Sequence, residues 1–401
     1  MSELISTIES AELALPRMLA AIRSGMSRGL HHGIQLYVSR DSTPIIDLAV
    51  GDNLPGEALT SDHLLPWLSA GKPMTALAVL SLTEQGLWDL DRPVAELIPG
   101  FEAGGKGAIT TRHLLTHTAG IDAVALGWPA TPWDEIIARI CAAPLKAGAA
   151  VGEYAAYDPQ RSWFILGEII QRVRQQPVAE VLQSQFFEPL GMDETFLAMP
   201  GERYDEFAPR LGRVHVMTEG LLRANHAHQK ETVTAPAPGS SSRGPIRQLG
   251  RFYEMLLADG TWNGQTIVQP ETIRQMTSRH RVARFDQTFQ HTVDFGLGIV
   301  VNSNRYGANT IPYGFGKHAS EGSFGHGGSQ SCIGFADPQH QLAVAMVANG
   351  YPGEVPHNRR FRELLTLLYE DLTLSPRSPE RGEPMGIGPQ NHKRKKTEGE
   401  H

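Results

Sequence analysis

Leu64-Leu65-Pro66-Trp67-Leu68-Ser69-Ala70-Gly71-Lys72-Pro73-Met74-Thr75-Ala76-Leu77 reads as an apolar approach into a helix that starts at Ser69 and ends before Gly86. Ser69 stands where a helix N-terminus belongs. Pro73 is tolerated in the first turn, where its missing N–H has no intrahelical partner. Ser69 and Lys72 are three apart and share one helical face. A serine hydroxyl becomes a nucleophile only when a neighbour removes its proton, and a lysine made neutral by burial is able to do so. The helix N-terminus also directs backbone N–H groups at an anion formed beside Ser69. The alternative is an N-capping serine with an exposed lysine one turn on. Two features favour the first reading: no other lysine of the chain has a serine three residues before it, and the flanks are apolar on both sides.

Working outward, Leu15 to Arg28 has helical apolar spacing. Ile34, Leu36 and Val38 then alternate with Gln35, Tyr37 and Ser39 as a strand, and Ile45 to Val50 follows as a second strand after the turn Asp41-Ser42-Thr43-Pro44. From Ser69 to about Met217 the pattern is mostly helical. His226 to Gly244, rich in Pro, Gly, Ser and Thr, reads as a loop. Helices are expected at Ile246–Leu257 and Pro270–Arg279, and strands at Gly296–Asn302, Cys332–Ala336 and Leu342–Ala348. Arg359–Asp371 reads as a closing helix. This order predicts an α/β lobe built from both chain ends, 1–68 and 225–374, around a mainly helical lobe, 69–224. The remainder, 375–401, has almost no apolar residues and is expected to be a disordered tail. Its His392-Lys393-Arg394-Lys395-Lys396 run reads as a solvated tail or a polyanion patch.

Composition narrows the function. The 401-residue chain carries a formal net charge of −7, which gives no reason to expect nucleic acid as a partner. Two cysteines, Cys141 and Cys332, make neither a disulfide framework nor a zinc pattern and read as packing residues. The N-terminus lacks a basic start and an apolar run of signal length, and no stretch is long enough to span a bilayer. These features predict a cytoplasmic protein with no membrane partner, and no cofactor is called for. Oligomeric state is not encoded legibly.

Three further segments bear on Ser69. In Gly152-Glu153-Tyr154-Ala155-Ala156-Tyr157-Asp158-Pro159, a tyrosine on a turn before a helix can face a cleft. Held near two cations, its phenol would shift toward phenolate and serve as a general base. The alternative is an ordinary half-buried tyrosine. In Phe324-Gly325-His326-Gly327-Gly328-Ser329, paired glycines let a strand edge approach a ligand closely, as oxyanion binding by a backbone N–H requires. A plain Gly-rich turn with a surface histidine fits as well. In Thr110 to Gly120, His113 and His117 are four apart, but no Glu follows the first and no third ligand is evident. They read as structural histidines, and no metal is expected there or at His226-Ala227-His228.

Together these segments resemble the class C β-lactamase-like family of serine enzymes, which includes β-lactamases, D-alanyl peptidases, family VIII esterases and some acyltransferases of natural-product biosynthesis. The Ser-x-x-Lys pattern matches Ser69 and Lys72, the Tyr-x-Asn-like turn matches Tyr157, and the His/Trp-Gly-Gly strand matches His326-Gly327-Gly328. Ile109 to Gly120, Phe187-Glu188-Pro189-Leu190-Gly191-Met192 and Phe335-Ala336-Asp337-Pro338 agree in order and spacing. The resemblance implies an α+β fold, an antiparallel sheet flanked by helices with an inserted helical lobe and the site between them. It implies acyl transfer: Ser69 attacks an ester or amide carbonyl of a small molecule, Lys72 and Tyr157 share the base role, and the backbone N–H groups of Ser69 and Ser329 form the oxyanion hole. His326, Gly327, Gly328 and Asp158 would contact substrate. Two departures count against a β-lactamase or cell-wall peptidase. Asp158-Pro159 stands where Ser-Asn is usual, and His326 stands where those enzymes carry a lysine. The resemblance leaves two readings besides an esterase or amidase: a transacylase using an amine or alcohol acceptor, and a non-catalytic binding or sensor protein on the same fold.

Overall fold

The computed structural model describes residues 4–374. The expectations for 375–401, a disordered tail with a basic run, lie outside the described residues.

One antiparallel sheet of eight strands organises the chain. In chain order these are β1 (Gly33–Arg40), β2 (Thr43–Leu54), β3 (Glu57–Ala58), β4 (Asp294–Phe295), β5 (Val300–Val301), β6 (Phe324–Gly328), β7 (Cys332–Asp337) and β8 (Leu342–Ala348). Their spatial order is β4-β5-β6-β7-β8-β1-β2-β3, so strands from the two chain ends meet where β8 pairs with β1. There Ile34 faces Ala348, Leu36 faces Met346 and Val38 faces Val344.

Both faces of the sheet are covered, and the sequence of β8 shows how. Leu342, Val344 and Met346 join Leu36 and Val38 in a core completed by helices α1 (Pro16–Ser27) and α5 (Glu354–Asp371). The alternate residues Ala343, Ala345 and Val347 point to the other core, where their small side chains admit helix α4 (Ile246–Leu257) through Leu249, Phe252 and Tyr253. Each fully buried aliphatic side chain of this kind contributes about 1.5–3 kcal/mol. The double covering buries both sets of alternating residues of β1. Gln35, Tyr37 and Ser39 are as buried as the apolar residues between them. Gln35 donates to the carbonyls of Thr60 and His63, and Tyr37 donates to Glu254 at 2.6 Å.

Helix α2 (Lys72–Glu84) is buried along its whole length up to Leu82, as expected for a helix that is apolar on all sides. It packs against α3 (Arg161–Arg174). Other boundaries differ from the sequence reading. The strand expected over Gly296–Asn302 is the hairpin β4–β5, because Gly298 turns the chain at φ +72°. The loop over 226–244 contains a short helix, Lys230–Thr234, and a two-residue strand, Arg243–Gly244, that pairs with Leu65–Pro66. The closing helix begins at Glu354, one and a half turns before Arg359. Cys141 and Cys332 are free, and burial raises both thiol pKa values.

Candidate active site

The site begins with a strained turn. Ser69 lies in a 3-10 turn, Leu68–Gly71, and not at the N-cap of α2, which is Gly71. Leu68, the residue before Ser69, has φ +49°, a left-handed conformation that a branched side chain adopts only under constraint. The constraint is visible. Trp67 N–H donates to the Ser242 carbonyl at 2.8 Å, its indole donates to Gly244 at 3.1 Å, and Leu65–Pro66 pairs with Arg243–Gly244. The turn carries Ser69 to the wall of a cleft of about 630 Å³.

One residue later the helix starts, and Lys72 is its first residue. Lys72 is completely buried, and its Nζ lies 3.0 Å from Ser69 Oγ. It also lies 2.9 Å from the Pro159 carbonyl and 2.6 Å from the Gly239 carbonyl. Burial pushes the ammonium pKa down to about 7, with Asp158 acting weakly in the opposite direction. A neutral amine has two N–H groups and one lone pair. Two carbonyls take the hydrogens, which leaves the lone pair for the Ser69 hydroxyl.

Tyr157 lines the same cleft as Ser69, and Lys72 Nζ sits 5.5 Å from its ring centre. Its environment overturns one expectation. Burial is the largest influence and raises the phenol pKa, and the opposing hydrogen bond to Ser69 is weaker. That shift favours the protonated phenol over a phenolate at neutral pH. The turn that holds it is anchored from three sides. Tyr157 N–H donates to Asp286 at 3.1 Å, Thr288 Oγ donates to the Tyr157 carbonyl at 2.9 Å, and Asp158 N–H donates to His117 Nδ1 at 2.9 Å. Asp286 is itself fixed by a buried ion pair with Arg281 at 2.8 Å. His117 and His113 are thus scaffold residues, His113 through a capping box with Thr110. Among the described residues no group of three or more His, Cys, Asp or Glu side chains is placed to hold a metal ion.

Asp158 is not among the residues lining the cleft of Ser69. Its carboxylate accepts the N–H groups of Gln160, Arg161 and Ser162, the Ser162 hydroxyl and the Arg161 guanidinium. It starts helix α3. It lines a separate small cavity of about 150 Å³ behind Tyr157.

Strand β6 forms the other wall. His326 is buried, neutral and far from its ordinary pKa, which burial and the nearby Lys72 lower to about 3. Its Nδ1 donates to the Gly327 carbonyl at 2.7 Å, which fixes the tautomer and leaves Nε2 an acceptor with no partner among the described residues. His326, Gly327 and Ser329 line the cleft, and Gly328 does not. Gly328 matters for another reason: a Cβ there would stand 2.2 Å from the Trp67 carbonyl oxygen, so only glycine lets β6 run this close to the Ser69 turn. The remaining walls come from residues that no motif marks. Phe289 stacks on Tyr157 at 4.7 Å, and Tyr313 packs on Phe289 at 5.9 Å. Glu354 accepts the hydroxyls of Tyr313 and Ser329.

The Beta-lactamase family model matches residues 19–368. The chain belongs to the beta-lactamase family. Within this beta-lactamase family it is 25% identical over 346 residues to the esterase/beta-lactamase LipL of Mycobacterium tuberculosis, spanning 79% of this chain and 77% of LipL. It is 26% identical over 329 residues to the esterase EstB of Burkholderia gladioli, spanning 75% of this chain and 81% of EstB. Among solved structures, EstCE1, described as a hydrolase with promiscuous acyltransferase activity, shares the fold with a TM-score of 0.74 at 20% identity, over 89% of this chain and 99% of that one. Membership places this beta-lactamase-family protein among serine hydrolases and acyltransferases. Among the described residues no helix is long and apolar enough to cross a membrane.

Proposed function

We propose that this enzyme cleaves an ester or amide of a small molecule through an acyl-enzyme formed on Ser69. Lys72, neutral near pH 7, accepts the Ser69 proton as Oγ attacks the carbonyl carbon. The new ammonium is held by the Pro159 and Gly239 carbonyls. The carbonyl oxygen becomes an oxyanion between the backbone N–H groups of Ser69 and Ser329. Collapse of this intermediate breaks the bond to the leaving group, which Tyr157 protonates as general acid, and Lys72 restores the phenol proton. Water activated by Lys72 then releases the acid. His326 Nε2 is an acceptor available to a hydroxyl of substrate or nucleophile.

The observation that carries this reading is the contact of a buried, easily deprotonated Lys72 with Ser69 at 3.0 Å. The names of LipL and EstB support an ester over an amide. A transacylase, in which an alcohol or amine replaces water, is favoured by the apolar walls Phe289, Val300 and Pro312, which limit water around an acyl group. Product analysis by mass spectrometry on nitrophenyl and methyl esters, with and without added amine, tests both. Free acid from wild type and none from Ser69→Ala is the hydrolase result. Amide or exchanged ester indicates the transacylase. Equal turnover by wild type and Ser69→Ala overturns the proposal, and no turnover by either leaves a binding protein.

A further inference from the structure

The acyl cleft does not end at its aromatic walls. Asn309, Arg359 and Arg362 line its outer part. The same three residues line an adjoining open groove of about 300 Å³, together with Lys317 and Glu363. Arg359 and Arg362 are three apart on α5 and so lie on one face of it. Among the described residues neither arginine, nor Lys317, takes part in an ion pair. Arg362 gives one N–H to the Ile311 carbonyl at 3.1 Å, and its buried Nε has no partner. Burial, and after it the charge of Arg359, lowers the Arg362 pKa.

The acids nearby do not neutralise this pair. Glu354 accepts the hydroxyls of Tyr313 and Ser329, and Glu363 is exposed and, among the described residues, forms no ion pair. Like charges held together without a counter-charge are unfavourable, and an anion between them removes the penalty. The chain as a whole is acidic at −7, so two unpaired arginines at the cleft with an unpaired lysine in the adjoining groove are not a property of its surface in general. Arg359 and Arg362 share the cleft with Ser69.

We infer that the enzyme selects substrates bearing an anionic oxygen group, a carboxylate or a phosphate, at the end remote from the scissile carbonyl, with Arg359 and Arg362 holding that group. This rests on Ser69 as the site of acyl transfer. His326 leaves the inner wall of the cleft without a fixed cation, and the arginines supply one farther out. A bidentate guanidinium suits either oxyanion, and its pull weakens with salt.

The test uses 4-nitrophenyl esters of matched length whose acyl chains end in methyl, carboxylate or phosphate. For wild type at low ionic strength, kcat/KM for at least one anionic ester exceeds that for the neutral ester by about tenfold or more, chiefly through KM. The two anionic arms tell carboxylate from phosphate. The anionic-to-neutral ratio falls toward one in Arg359→Gln/Arg362→Gln and at high salt. A ratio near one in wild type, or one unchanged in the double variant, overturns the inference. Calorimetric binding of the intact esters to Ser69→Ala, with and without the two arginine substitutions, needs no turnover. Arginine-dependent preference there, without turnover in wild type, keeps the anion site and removes the catalytic reading. Turnover without charge preference does the reverse.

Discussion

Lys72 Nζ lies 3.0 Å from Ser69 Oγ with no water-accessible surface on the lysine. Such a site holds an ammonium poorly, and the two carbonyls beside it suit an amine with two hydrogens equally well. Lys72→Ala and Lys72→Arg are both expected to lower kcat/KM by about 10³-fold or more, because arginine keeps its charge and offers no lone pair. Steady-state kinetics on a nitrophenyl ester, with circular dichroism to verify folding, checks this. An active Lys72→Arg variant contradicts the role of the lone pair.

The pH profile follows from two shifts of different sign. Below about pH 7 Lys72 holds its proton and cannot accept one from Ser69, so kcat/KM rises as pH increases through that value. Tyr157, raised above the ordinary tyrosine value, keeps its proton, so no falling limb from it is expected below about pH 10. A profile with no acidic limb near 7, or a decline beginning near pH 8, conflicts with these assignments.

Tyr157→Phe removes the acid that serves the leaving group. Methyl and other alkyl esters, whose alkoxides need a proton, are expected to lose about 10²- to 10⁴-fold in kcat. Nitrophenyl esters, which leave as stable phenolates, are expected to lose far less. Equal losses on the two ester classes argue for a role earlier in the reaction.

What was legible in the sequence was what lies close together along it. Ser69 and Lys72 sit one helical turn apart, and their apolar flanks already announced burial. The Tyr157 and His326 segments were recognisable as motifs, but their protonation was not. Burial is the largest influence driving the Tyr157 phenol up and the His326 imidazole down, and the cleft walls around them include Phe289, Tyr313 and Val300, which are remote in sequence. A carboxylate one residue after Tyr157 reads the same in sequence whether it faces substrate or, as its bonds to the Gln160, Arg161 and Ser162 N–H groups show, holds the start of α3. The walls Phe289, Tyr313 and Glu354 belong to irregular segments and a helix start, where no periodicity marks them.

Gly328→Ala places a methyl group 2.2 Å from the Trp67 carbonyl oxygen. Either β6 or the Ser69 turn must move, at a cost of about 1–3 kcal/mol. A lower Tm together with a loss of kcat exceeding the loss of substrate affinity is expected. Unchanged kinetics shows that the spacing between strand and turn is not critical.

Asp158→Ala removes the start of α3 and leaves the Arg161 guanidinium without its partner. A loss of about 1–3 kcal/mol in stability is expected, measured by denaturant unfolding, and Asp158→Asn recovers part of it. Wild-type stability with impaired substrate binding points instead to contact with substrate.

Trapping the acyl-enzyme is the most direct measurement. Wild type is mixed with a nitrophenyl ester, quenched in acid within milliseconds, digested and analysed by mass spectrometry. The account predicts an acyl adduct on the peptide containing Ser69, absent from Ser69→Ala. An adduct on another residue, or turnover by Ser69→Ala at the wild-type rate, contradicts it.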